Sequence, residues 1–268
     1  MSGHLLRAHA PISDAAWAML DSEAQERLVA ALAARKLVDF SGPHGWEQSA
    51  TGLGRVAPIA APPCEGVVAR QRVVLPLAEL RAGFELSLAE LQDLDRGAVD
   101  ADLGPLDAAA HQIAIAENIA VLHGWEAAGI TGITEASTHD PLPLGDVAEG
   151  YRRPVATAVE RLLSSGISGP YALALGREQY RRVVETGEHG GYPLLDHLKK
   201  IVEGPIVWAP GVDGAVVLSV RGGDFLLDCG QDLSVGYESH DGEGVRLYIE
   251  ESFSFRVATP EAAIALTA

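Results

Sequence analysis

With 268 residues, 47% of them hydrophobic, the chain can bury a sizeable core in one or two domains, and it holds no apolar run of about eighteen residues that would cross a membrane. A formal charge of −17, with basic residues scattered apart from short pairs such as Arg152-Arg153, argues against direct nucleic-acid binding. Two cysteines without a CxxC, Cys64 and Cys229, and an N-terminus without a signal-peptide pattern predict a cytoplasmic protein in which both thiols are small packed side chains.

In chain order, Ser13 can cap a helix that Asp14 favours, and Trp17, Leu20, Ala24, Leu28, Ala31 and Leu32 recur at spacings of three and four, which predicts an amphipathic helix ending near Ala34. Residues 35–40 then extend, and Ser41-Gly42-Pro43 breaks the chain. A helix that only packs on the core, with Arg35 paired to Asp39, would account for these residues. Across 51–77, Gly52, Gly54, Pro58, Pro62, Pro63 and Gly66 punctuate two arms, 53–60 and 67–75, and predict a long hairpin. Its prolines forbid many ladder bonds, which suits an arm lying on a neighbouring subunit or a loose exposed hairpin.

Leu80, Ala82, Phe84 and Leu86 alternate with polar or small residues as in a half-buried strand, and Ser87-Leu88-Ala89-Glu90 matches a capping box opening a short helix. Pro105 opens a longer helix reaching about Ala128, some 36 Å at 1.5 Å per residue. It is apolar nearly all round, with Asp107, His111, Gln112, Glu117, Asn118 and His123 as polar marks, and is therefore predicted to be buried on most sides. A helix at 154–165 follows. Strand, helix, loop, helix and two strands (171–175, 177–185, 193–202, 206–209 and 215–220) then form a small α/β unit. Last comes the longest alternation: Val245, Leu247, Ile249, Phe253, Phe255 and Val257 share a face interrupted only by Glu251, and Arg246, Tyr248, Glu250, Ser252, Ser254 and Arg256 share the other. It predicts a half-buried strand of about 40 Å, a spine for the fold.

Chemistry is sparse. No GxSxG, HExxH, P-loop or dinucleotide fingerprint occurs. His123 with Glu126, His139-Asp140 and Ser239-His240-Asp241 are histidine neighbourhoods without a catalytic pattern, since triads are assembled by folds and not by adjacent residues. The chain is predicted not to be an enzyme and to need no cofactor or metal.

The segments RGGDF, GQDLSVGYESHD and VRLYIEESFSF, together with GPHGWE, LPLAELRAGFEL, LDRG, SGISGPYALAL, HGGYPL and IVWAP, resemble those of the family 1 encapsulins, once grouped with linocin-type bacteriocins. The resemblance spans nearly the whole chain. It implies an α+β fold like that of the tailed-phage (Hong Kong 97-type) major capsid protein. Residues 1–50 would supply an N-terminal helix and arm, 51–77 an extended loop, 78–165 a peripheral domain, 166–222 an axial domain, and 223–268 the return to the peripheral domain. In that domain the 105–128 helix would pack on the spine strand, with 154–165 alongside. The resemblance further implies a non-enzymatic shell subunit forming homo-oligomers in multiples of sixty around cargo enzymes that carry a C-terminal targeting peptide. Ferritin-like proteins or dye-decolorising peroxidases are the implied cargo, which ties the cage to iron storage and oxidative stress. Carried over by position, the cargo-peptide groove would comprise Leu28, Arg35, Asp39, Asp232, Leu233 and Ile249, and the pore loop Gly187, Glu188, His189, Gly190, Gly191 and Tyr192. Some relatives bind flavin through an aromatic residue where this chain has Ala89, so flavin is not carried over. The alternatives are a phage or prophage capsid protein enclosing DNA and, further off, a protease or bacteriocin.

Overall fold

A computed structural model of the chain describes residues 3–145, 147–186 and 193–267. The first half runs α1 (Asp14–Ala31), β1 (Asp39–Ser41), β2 (Ala50–Ile59), β3 (Ala69–Pro76), β4 (Ala78–Ser87), α2 (Leu88–Asp95), α3 (Gly104–Leu122), α4 (Ile133–Ala136) and β5 (Leu142–Pro143). The second half runs α5 (Arg152–Ser164), β6 (Tyr171–Leu175), α6 (Arg177–Glu185), α7 (Leu194–Val202), β7 (Glu203–Trp208), β8 (Ala215–Ser219), β9 (Phe225–Cys229), β10 (Ser234–His240), β11 (Gly244–Val257) and β12 (Ala263–Thr267). No described helix is long and apolar enough to cross a membrane.

The long strand β11 is the spine of the first sheet. It pairs antiparallel with β10 (Val245 opposite His240), with β4 (Val245 opposite Leu86) and, at its far end, with β9 (Phe255 opposite Leu227); β1 adds parallel to β9. Its length thus lets one strand serve three partners. Helices α1 and α3 cover the face bearing Leu247 and Ile249. The opposite, polar face is not solvated as its alternation suggested: Tyr248, Glu250, Ser252 and Ser254 are all buried. His4 reaches Glu250 at 2.9 Å while stacking on Trp46, Arg81 binds Glu250 at 2.7 Å and lies over the Tyr248 ring, and Thr51 bonds Ser254 at 2.7 Å. The N-terminal turn and the root of the hairpin therefore roof that face.

The second sheet has the order β5-β12-β8-β6-β7. Its middle follows the strand and helix pattern read from the sequence, but its other border does not. Ala263–Thr267 pairs with β8 and Leu142–Pro143 with β12, two segments too short for periodicity to mark. Helix α5 packs on α7 and on β8 and β12 of this sheet, not alongside α3, because its single apolar stripe, Val155, Ala158 and Leu162, joins the same core as Val217 and Ile264. Helix α3 is shorter than expected. It ends at Leu122 because Gly124 has φ +99° and sits so tightly against α4 that a Cβ would lie 2.4 Å from Glu135 Oε2. The capping box of α2 is half made: Ser87 accepts from the Ala89 N–H, whereas Glu90 turns to the Asp102 N–H at 3.0 Å.

Past α1 the chain makes a 3-10 turn, Ala34–Lys36, before it extends. The buried Asn118 of α3 imposes it. Its Oδ1 accepts from the N–H groups of Ala33 and Ala34 at 2.9 and 3.0 Å, and its Nδ2 donates to the carbonyls of Ala31 and Pro210. Asn118→Leu keeps the volume but strands these buried groups at about 1–3 kcal/mol for each one unsatisfied. A loss of on the order of 3 kcal/mol is expected, read as a lower thermal midpoint.

Candidate functional site

A groove of about 520 Å³ runs between α1 and the β10–β11 ribbon. One wall is Ala24, Leu28, Val29 and Leu32, a stripe placed by the helical period; the other is Leu233, Val235 and Ile249. The walls are apolar and the ends charged. At one end Arg7 forks onto Asp21 at 2.5 and 2.8 Å, donates through Nε to the Val235 carbonyl at 2.7 Å, and lies 4.5 Å over the Trp17 ring.

At the other end Arg35 engages three carboxylates at once: Nε to Glu117 at 2.7 Å, Nη1 to Asp232 at 2.6 Å and Nη2 to Glu251 at 2.8 Å. It also lies 4.9 Å over the Phe40 ring. The side chains of Glu117 and Glu251 are 0% exposed and that of Asp232 42%, so two of the acids are cut off from water and one is not. Burial opposes the Arg35 charge, but the carboxylates outweigh it and hold its pKa above the ordinary arginine range. Burial pushes Glu117 up despite Arg35, and it pushes Glu251 well up, with the neighbouring Glu117 adding to the effect. Next to them the Cys229 thiol is pushed up to about 12, chiefly by burial, and is an inert packed group. Cys64, by contrast, is exposed between the hairpin strands and not packed.

Leu28, Arg35, Asp232, Leu233 and Ile249, chosen from three distant segments, therefore line one groove. Asp39 does not. It opens β1, which runs parallel to β9, and accepts from the Gly223 N–H in a separate small depression with Gly222, Asp224 and Phe225; Arg35 pairs with the three acids above instead of with Asp39. The loop from Gly187 to Tyr192 lies outside the described residues. Glu117, Arg7 and Asp21 were missed. Glu117 had a signal, a carboxylate on a helix otherwise read as buried, as did Glu251, which breaks the apolar face of β11.

The histidine neighbourhoods are structural. His123 Nδ1 meets Thr134 Oγ1 at 2.9 Å while Nε2 accepts the Asp213 N–H at 3.3 Å; burial lowers its pKa, so both ring nitrogens are used by a neutral imidazole. His139 Nε2 is spent on the Glu261 carbonyl, and His240 turns to the Tyr237 hydroxyl and not to Ser239. Among the described residues no group of three or more His, Cys, Asp or Glu is placed to hold a metal ion.

The fold matches solved shells. It superposes on a virus-like particle from Pyrococcus furiosus with a TM-score of 0.68 at 18% identity, over 93% of this chain and 98% of that one. It superposes on the capsid of an empty GTA particle with a TM-score of 0.55 at 15% identity, over 88% and 90%. These likenesses define a capsid-type shell fold and no more. In sequence, the family described as "Encapsulating protein for peroxidase" matches residues 1–254, and a type 1 encapsulin shell protein of Rhodospirillum rubrum is 49% identical over 267 residues, 98% of this chain and 95% of that protein. The chain belongs to the encapsulin shell-protein family, and is a structural shell protein, not an enzyme.

Proposed function

We propose that this chain assembles in multiples of sixty into a closed cytoplasmic compartment, and that the groove between α1 and β10–β11 receives the C-terminal targeting peptide of a cargo enzyme. The observation that carries this is the groove itself: two apolar walls closed at both ends by fixed charges, which suits a short segment with apolar anchors. The family description favours a peroxidase as cargo, with a ferritin-like protein as the other candidate. For Gly187 to Tyr192 the reading keeps the pore role, supported by family membership alone. The charge of −17 speaks against DNA as the contents.

Co-expression with a fluorescent guest ending in the C-terminal segment of the neighbouring cargo gene tests the groove. Leu28→Asp sets a carboxylate against an apolar anchor and is expected to cut co-purifying guest at least tenfold, about 1.4 kcal/mol, while particles still form. Because Leu28 is buried, Val29→Asp provides a second probe on the same wall, at a residue 59% exposed and outside the core. Normal loading in both variants would remove the groove from the reading.

A further inference from the structure

Below the Arg35 end of the groove, Glu117 and Glu251 each give Oε2 to the guanidinium and leave Oε1 buried without a donor. Both are held by the same guanidinium, Glu117 at Nε and Glu251 at Nη2, so the two carboxyl groups sit side by side. An ionised carboxylate only accepts, so two facing carboxylates cannot satisfy each other. A proton can. If one acid is neutral, its O–H becomes a donor that the neighbouring carboxylate can accept, and the buried pair together carries one negative charge against the one positive charge of Arg35.

We propose that Glu117 and Glu251 share one bound proton at neutral pH, and that this proton latches the C-terminal end of α1 onto β11. The charged and titratable groups facing the pair are Arg35 from the turn after α1, Asp232 from the β9–β10 turn and Cys229 from β9; Phe40 of β1 covers the guanidinium. Asp232 alone of the three acids touches water. Arg35 holds α1, α3, β11 and the β9–β10 turn together, so the same proton sets the geometry of one end of the groove. Only that consequence rests on the cargo reading.

Folded-state values raised above the ordinary glutamate range mean that the folded chain binds more protons than the unfolded one. The stability due to the pair is complete below that ordinary range, near pH 4.3, and is lost as pH rises through the raised values, up to tenfold in the folding equilibrium per pH unit for each proton released. Cargo-free shells in deuterium oxide supply the test. At neutral pH the wild type is expected to show the infrared C=O band of a buried protonated carboxyl that is missing in Glu251→Gln, where the amide reproduces the donor and the acceptor. Thermal midpoints of the wild type should fall from neutral to strongly alkaline pH, those of Glu251→Gln much less, and Asp232→Asn should follow the wild type. Should Glu251→Gln fail to assemble, Glu117→Gln takes its place, and loss of the wild-type band on alkaline titration is scored by itself. Identical spectra in wild type and variant, or a wild-type band indifferent to alkali, overturns the proposal. Guest loading plays no part in these measurements, so a failed cargo reading leaves their outcome intact.

Discussion

A chain lacking residues 53–75 is expected to fold and to form no closed particle. The hairpin β2–β3 is a two-stranded sheet joined to neither five-stranded sheet, and its ladder slips between Gly52 and Arg55. Val56, Ile59 and Val74 are exposed on its strands, as are Val67 and Val68 at the turn, with Val68 81% exposed. A lone hairpin is marginal in water, and apolar groups facing solvent gain stability only from something laid against them. In a symmetric shell that something is another copy, so the loss recurs at every equivalent contact. The cut removes none of the two cores, and the Thr51–Ser254 bond at the root survives. Electron microscopy and size-exclusion chromatography should therefore show small species with near-normal circular dichroism, against megadalton particles for the full chain. Full-sized cages from the deletion variant, or a full-length chain that stays monomeric in gentle buffer, would contradict this.

What could be read in advance was local. Helix α1 and the strands and helices from β6 to β8 follow periods of 3.6 and 2 that the residues carry themselves, and Ser13 caps α1 through the Ala16 N–H as its position promised. What escaped depends on residues far apart in the chain. The end of α3 is set by α4, the roof on the polar face of β11 comes from His4, Arg81 and Thr51, and Leu142–Pro143 becomes a strand only because β12 lies beside it. The groove shows the same division. Leu28 and Ile249 are legible as apolar positions on their own elements, but their approach to Leu233 followed only from the family resemblance. Asp39 lies outside the groove because it opens β1, where its pairing opposite Leu226 of β9 sets it beside Gly223, and a three-residue strand carries no period that would reveal this. Like charges on two faces that periodicity marks as buried, Glu117 on α3 and Glu251 on β11, were the available sign that a cation had to lie between them.

Arg35→Met is expected to be the costliest point change in this region. The methionine fills much of the stem's space, but Glu117 and Glu251 then face each other with no counter-charge, and removing one partner of a buried ion pair typically costs about 3–5 kcal/mol. At roughly 2–4 °C per kcal/mol for a chain of this size, the thermal midpoint should drop by on the order of 10 °C at neutral pH. Arg35→Lys keeps a charge but loses the fork that reaches three acids, and should fall between the two. The sign of the pH response separates this account from simple loss of packing. Without Arg35 both acids are pushed further up, so the defect is smallest where they are protonated and deepens as pH rises through their raised values. Mild acidification should therefore narrow the gap to wild type, and adding Glu251→Gln to Arg35→Met should recover part of it at neutral pH. A gap unchanged across that range and untouched by the second substitution would mean that Arg35 holds α1 through its stem alone, with the three carboxylates as bystanders.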